Sequence, residues 1–126
     1  MRMIGLLKEL ERSSRALPTI TEIRDSIGES DLPALVNYLR SADIVVDSME
    51  IVVDPLDSQV RIPGGSGLQS DGEYVWRQDL WHYVQRYRIR LPLKFIDKVR
   101  LRGGVAPTLE PQDYERAMNE RERALR

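Results

Sequence analysis

The sequence predicts an α+β domain: N-terminal helices, a small antiparallel meander of three or four strands, and then two or three C-terminal helices. Apolar residues recur at helical spacing at both ends of the chain, whereas β-branched residues dominate its middle. Turn sequences, and not helices, separate the middle segments, which favours an antiparallel over a parallel sheet. A chain of 126 residues suffices for one such domain. We assign it to residues 1–102, and residues 103–126 to a linker and a C-terminal helical tail.

Three short helices are expected before the first strand. An apolar stripe at helical spacing predicts the first over residues 3–13. Thr19 or Thr21 can cap the second, and Gly28 supplies its left-handed stop. Ser30 can cap the third. The predicted core positions of this third helix are Leu32, Leu35, Val36 and Leu39.

The middle of the chain is predicted to form the meander. Residues 44–54 are rich in β-branched side chains, which fit a pleated, half-buried surface better than a helix. Residues 54–57 (DPLD) predict a turn, because proline presets its second position. Residues 59–62 then return as a strand, and residues 63–65 (PGG) turn again. A hairpin is expected at Asp71-Gly72, where a two-residue turn needs positive φ at both central positions.

Residues 70–99 are predicted to organise the core, since they hold six of the eight aromatic side chains. Apolar residues from Leu80 to Tyr87 recur at the spacing of one helix face, with Asp79 in the first turn. Pro92 opens a second helix, because proline suits the first helical position. Residues 109–111 open the last helix, whose inner face is expected at Tyr114, Ala117, Met118 and Leu125.

Three motifs in this region carry a resemblance: SDGEYVW at 70–76, DLWHYVQRY at 79–87 and LPLKFID at 91–97. In this order they resemble a TDG-turn-tryptophan, DLxxYVxxY and LPxxF pattern found in small, mostly uncharacterised bacterial proteins. The resemblance implies an immunity protein of a polymorphic toxin system, with no defining catalytic residues. The pattern usually has proline at the position of Arg77 and a small residue at that of Trp81. We expect the first departure to weaken the helix start and the second to add an exposed aromatic side chain.

Charge is divided unevenly along the chain. Residues 43–73 contain seven acidic residues and one basic residue, whereas residues 84–102 contain seven basic residues and one acidic residue. Two interpretations stay open. The two segments neutralise each other within the fold, or they form two poles that attract partners of opposite charge.

The sequence offers little catalytic chemistry. His82 is the only histidine, and Asp79 and Arg86 can share its helix face and orient it as a general base. An ordinary surface histidine is the preferred interpretation, because no second catalytic partner is apparent. The glycine-rich residues 64–67 lack the GKS or GKT of a phosphate-binding loop. No metal site or cofactor is predicted, since cysteines are absent and the acidic pairs lack the spacing of a calcium loop.

The preferred function is therefore a non-catalytic, cytoplasmic protein that binds and occludes a cognate bacterial toxin. No segment has the apolar length of a membrane span, and residues 1–10 are too charged for a secretory signal. The expected partner-binding residues are Asp47, Glu50, Asp54, Asp57, Glu73 and Trp81. The alternative is a nucleic-acid-binding or small-ligand-binding domain that uses the basic region 86–102. Its expected nucleic-acid-binding residues are Arg86, Arg88 and Arg90, although a pI near 5.9 is low for such a domain.

Overall fold

The computed structural model describes residues 1–126 and has the predicted α+β class. The strands are β1 (Arg2–Met3), β2 (Asp43–Val46), β3 (Ile51–Asp54), β4 (Asp57–Pro63), β5 (Leu68–Ser70) and β6 (Tyr74–Arg77). The helices are α1 (Ile20–Ile23), α2 (Leu32–Ser41), α3 (Leu80–Tyr87), α4 (Leu93–Leu101) and α5 (Pro111–Ala124). None of the helices combines the length and apolar character needed to cross a membrane.

The strands form two sheets, so the prediction of one antiparallel meander is wrong. One sheet has the order β1-β6-β5-β2, and β3 pairs with β4 in a separate hairpin. Strand β1 runs parallel to β6, with Arg2 opposite Tyr74, while the other pairs are antiparallel. The β-branched run over residues 44–54 therefore contributes one strand to each sheet. Two-residue periodicity detects strands, but it does not identify the sheet to which each one belongs.

The N-terminal segment differs most from the prediction of three helices before the first strand. It begins with β1, and Gly5 has φ +72°, a conformation that interrupts any helix over residues 3–13. A Cβ atom at Gly5 would lie 2.5 Å from the Leu80 side chain, so this close approach needs glycine. The second predicted helix is only α1, which Thr19 caps by accepting a 3.2 Å hydrogen bond from the Glu22 amide. It ends before Asp25, whose φ is +58°.

The predicted turns are present. The chain reverses between β3 and β4, turns again after Pro63, and forms the β5–β6 hairpin around Asp71-Gly72. Only Gly72 has positive φ in this last turn, so the predicted two-residue geometry is wrong. The Asp71 carboxylate replaces it by accepting hydrogen bonds from the amides of Glu73 and Tyr74 at 2.9 and 2.7 Å.

The main core lies between the helices and the four-stranded sheet, and the aromatic segment supplies its centre as predicted. The Phe95 ring packs edge-on against Tyr38, Tyr74 and Trp76, at centroid distances of 5.6, 5.1 and 5.5 Å. Such contacts add to the stabilisation from burying the rings. The buried faces of α3 and α4 are also as predicted. They comprise Leu80, Tyr83, Val84 and Tyr87 in α3, and Phe95, Ile96 and Val99 in α4.

Helix α5 packs on the sheet through a smaller cluster that includes Met3, Val75 and Ala117. Its predicted inner face is wrong in part, because Tyr114 and Met118 are exposed. The observed inner face also carries two acidic side chains. Its buried residues are Asp113, Ala117, Glu120 and Ala124. The Glu120 carboxylate accepts a 3.3 Å hydrogen bond from the Met3 amide at the sheet edge, which explains its burial.

Candidate partner-binding surface

Asp54, predicted as part of an acidic binding surface, is buried and only 1% exposed. Its Oδ2 atom lies 2.8 Å from His82 Nε2 and accepts a 2.7 Å hydrogen bond from the Tyr87 hydroxyl. Its Oδ1 atom accepts a 2.8 Å hydrogen bond from the Leu56 amide. The prediction is therefore wrong for Asp54. This carboxylate holds the β3–β4 hairpin onto α3 and is not available to a partner.

The chemistry of this contact favours a charged carboxylate. Burial alone would raise the pKa of Asp54, but hydrogen bonds from His82, Tyr87 and the Leu56 amide outweigh it and lower the pKa. Burial, and then the hydrogen bond to Asp54, raise the pKa of Tyr87 to about 12. Tyr87 thus remains a hydroxyl donor and Asp54 an acceptor over the physiological pH range.

Two other acidic residues of the predicted surface face basic partners within the fold. Asp57 Oδ2 lies 2.7 Å from Arg86 Nη2 at the tip of the hairpin. Glu73 Oε1 lies 2.9 Å from Lys98 Nζ, which is also 3.1 Å from the buried Asp71 carboxylate. These pairs join the acidic segment to the basic segment. Asp57 and Glu73 remain partly accessible, but their charges are compensated by neighbours.

Asp47 and Glu50 are the two predicted acidic residues that stay free. Both are exposed in the link between β2 and β3, and neither carboxylate has an ion-pair or hydrogen-bond partner. They lie next to Met49, which is 99% exposed. The acidic surface available to a partner is therefore smaller than predicted and is centred on this link.

The hairpin presents an apolar surface that was not predicted from the sequence. Burial alternates along β3, so Val52 and Asp54 face inward while Ile51 and Val53 are 53% and 43% exposed. We use the name hairpin patch for Met49, Ile51, Val53 and Leu56, which are four of the ten exposed large hydrophobic residues. A concentration of exposed apolar side chains within one short segment is typical of an interaction site. The sequence signal that could have revealed it is the run of three apolar residues from Ile51 to Val53, because successive side chains of a strand point to opposite faces and at least one of them must face outward.

Trp81 is partly buried, so the expectation of an exposed aromatic side chain is wrong, whereas its role in partner binding stays a prediction. The Arg40 guanidinium lies 4.2 Å from the centroid of its ring, a cation–π distance. Both residues line a groove of 380 Å³ between β4 and the body of the domain. Trp81 therefore contributes one side of a groove instead of an isolated contact.

Arg77, expected to weaken the start of α3, is instead part of a buried network. Its guanidinium binds Asp79 through two 3.0 Å hydrogen bonds and also contacts Glu11 and the Leu10 carbonyl at 3.2 and 3.1 Å. The network ties the N-terminal segment to α3, and it consumes the Asp79 carboxylate that was considered a partner for His82.

The basic residues proposed for nucleic-acid binding have three different environments. Arg86 pairs with Asp57, Arg88 ends α3 in the left-handed conformation near Glu29, and Arg90 is exposed without a partner. The ring of Tyr87, the aromatic residue among them, is buried. A base cannot stack on it without displacing the core contacts.

The buried His82–Asp54 pair resembles the orienting half of an acid–base site, in which a carboxylate fixes an imidazole. However, the His82 side chain is only 11% exposed, and Asp79 and Arg86 bind other residues. The true partner comes from a hairpin 28 positions earlier in the chain. No group of three or more aspartate, glutamate or histidine side chains is placed to hold a metal ion. The pair is best explained as the attachment point of the hairpin.

No protein-family model, no curated protein and no solved structure matches this chain. Indications of function then come from the surface that the fold presents. The features available are the hairpin patch, the free carboxylates of Asp47 and Glu50, and the groove beside Trp81.

Proposed function

We propose that this chain is a non-catalytic protein-binding module of the immunity type, which occludes a cognate bacterial toxin with the hairpin patch. The observation that carries the proposal is the concentration of four exposed apolar side chains, Met49, Ile51, Val53 and Leu56, in one short segment at the β3–β4 hairpin. A partner that covers these side chains removes apolar surface from water, which is the main favourable term in association. Residues 70–97 resemble a pattern in small, mostly uncharacterised bacterial proteins that we interpret as immunity proteins, and this interpretation agrees with the proposal.

Charge further defines the partner. Asp47 and Glu50 flank Met49 and have free carboxylates, so a basic surface on the toxin would complement this end of the patch. Toxins that cleave nucleic acids present such basic clefts, and occlusion of a cleft blocks the substrate without any catalysis by the inhibitor. Asp54 has no part in this contact, because it is buried under the hairpin.

The candidate toxin is the product of the gene immediately upstream, and the test is protection against it, measured together with binding of the two purified proteins. Ile51→Lys combined with Val53→Lys should abolish protection and weaken binding by at least about 30-fold, the effect of losing one anchor of about 2 kcal/mol. Leu93→Lys combined with Leu101→Lys is the matched control. These leucines are even more exposed, at 77% and 89%, but lie on α4, and we expect full protection.

The electrostatic part has its own variant. Asp47→Lys combined with Glu50→Lys should slow association and reduce its salt dependence, while changing dissociation little. Equal toxin binding by the hairpin and α4 variants would exclude the hairpin patch as the binding surface. Failure of the unmodified chain to bind that protein would remove the assignment of this toxin as the partner.

The nucleic-acid alternative retains one supporting observation, because Arg90 and Lys94 are exposed and unpaired within the basic region 86–102. It predicts retention of RNA or DNA that is lost steeply as salt is raised. Arg90→Glu combined with Lys94→Glu should abolish that retention, whereas the hairpin variant should not. Absence of nucleic acid in a low-salt purification would exclude this alternative.

A further inference from the structure

The groove beside Trp81 lies between the edges of the two sheets. Its volume is 380 Å³, Ile44 of β2 lines one side, and β4 contributes a continuous run from Val60 to Pro63. Trp81 and His82 at the start of α3 also line it. Strand β3 contributes no residue, so the groove follows the edge of β4 that faces away from its partner strand.

Both strands beside the groove have an open edge. Strand β4 pairs only with β3, and β2 pairs only with β5. The Gly64 amide donates a 2.9 Å hydrogen bond to the Glu50 carbonyl, so these two residues form a hydrogen-bonded pair. Hydrogen-bonded and non-hydrogen-bonded pairs alternate along an antiparallel hairpin. Arg61, opposite Val53, therefore belongs to a non-hydrogen-bonded pair, and its backbone N–H and C=O point outward from β4. These groups can pair with an added strand.

The side chains around the groove select for negative charge. Arg40 and Arg61 line it, and neither guanidinium has a carboxylate partner. None of the lining residues is acidic. At the tip of the hairpin, by contrast, Asp57 is neutralised by Arg86 of α3.

We propose that an extended acidic segment of the partner protein binds in this groove as a strand added along β4, with its carboxylates against Arg40 and Arg61. Its backbone pairs with Arg61, and Trp81 and Ile44 supply apolar contacts for its other side chains. The inference rests on the proposed function for the identity of the partner. It extends that function, since the toxin would contribute an acidic strand beside the basic surface that meets Asp47 and Glu50.

The experiment uses a short synthetic peptide of alternating glutamate and valine, titrated into the full chain labelled with nitrogen-15. We expect saturable chemical-shift changes at the Arg61 amide, at β2 and at the Trp81 indole, which is distinguishable from the indole of the fully buried Trp76. A peptide of alternating lysine and valine should cause none. Absence of saturable changes, or equal changes with the lysine peptide, would overturn the proposal. Because the titration needs no toxin, this outcome is separate from failure of the proposed function.

Two substitutions at Arg61 separate charge from strand addition. Arg61→Gln keeps the outward amide and should weaken peptide binding about tenfold, equivalent to about 1.4 kcal/mol. Arg61→Pro also removes the amide hydrogen and should abolish binding. The control is Arg12→Gln, which removes the same charge from an exposed arginine outside the groove. Equal weakening by Arg12→Gln and Arg61→Gln would show non-specific charge attraction and overturn the site, even if the proline variant fails to fold.

Discussion

The core and the β3–β4 hairpin are held by different forces. The core is a cluster of 20 buried residues centred on Phe95 and its aromatic neighbours. The only apolar residues that the hairpin buries are Val52 and Ile62, at 8% and 9% exposure, and neither belongs to a core cluster. Its attachment to α3 depends on the hydrogen bonds of Asp54 and on the ion pair between Asp57 and Arg86. The core is held by apolar packing, whereas the hairpin is held largely by polar contacts.

This difference has a functional consequence under the proposed function. An element that turns two exposed apolar residues toward a partner has few inward apolar residues left for its own attachment. The buried Asp54 carboxylate, which accepts three hydrogen bonds, fixes the position of the hairpin instead. It can do so because hydrogen bonds are directional and apolar contacts are not. We therefore expect the hairpin to open while the core remains folded.

The largest expected effect breaks the core. Phe95→Ala removes a fully buried ring and should lower the free energy of unfolding by about 3–5 kcal/mol. Urea unfolding followed by tryptophan fluorescence and by circular dichroism should give coincident transitions shifted to lower urea. Leu93→Ala on the same helix is the control, since this side chain is 77% exposed. A similar loss from both variants would contradict the central position of Phe95.

The next effect should be confined to the hairpin. Asp54→Ala leaves His82 and Tyr87 without their buried acceptor, at a cost of about 2–3 kcal/mol. Hydrogen exchange should show lost protection for the amides of β3 and β4, while α3 and α4 stay protected. Asp57→Ala removes a partly exposed ion pair and should change much less. Uniform loss of protection across the chain would show that the hairpin and core unfold as one unit.

Local patterns in the sequence predicted the parts of the fold that depend on neighbouring residues. The spacing of Leu80, Val84 and Tyr87 was sufficient for α3, and the DPLD turn was sufficient to reverse the chain after β3. The N-terminal stripe failed because Gly5 and the pairing of β1 with β6 depend on residues more than 70 positions away. Helical spacing of apolar residues is also satisfied by a loop that inserts Ile4 and Leu7 into the core.

The candidate surface was less predictable for the same reason. Counting charges placed Asp54 and Asp47 in one acidic segment, but alternation along β3 turns Asp54 inward, where only tertiary contacts supply His82 and Tyr87. Charge counts describe composition and carry no information on which carboxylates are already paired. The apolar run from Ile51 to Val53 was visible, yet which of its side chains face outward could not be assigned without the register of the hairpin.

A smaller effect should appear on acidification. The folded-state pKa of Asp54 lies below its ordinary value of 3.8, so its stabilising contribution is present above pH 3.8 and is lost as the pH falls through the lowered folded value. Protection of the hairpin amides should therefore decline below about pH 4, before that of the α4 amides. Asp54→Asn lacks this carboxylate, so its hairpin protection should be low at all pH values and should lack this decline. A hairpin in the unmodified chain that opens only together with the core would contradict the prediction.

The smallest effect tests whether the two regions share a support. Arg88 ends α3 with φ +51°, a left-handed conformation that costs a non-glycine residue about 1–2 kcal/mol. Arg88→Gly removes this strain. Glycine also has more conformational freedom in the unfolded chain, which offsets about 0.5–1 kcal/mol of that gain. The free energy of unfolding should therefore rise by a net value of roughly 0.5–1 kcal/mol. Arg90→Gly, at a position without positive φ, should lower stability.

The distribution of this gain is informative, because both the core and the hairpin rest on α3. If hydrogen exchange shows higher protection in α4 but not in β4, the hairpin opens by a local motion that leaves α3 intact. Equal gains in both would mean that the hairpin opens only when α3 does, and its contact through Asp54 would then be as durable as the core itself.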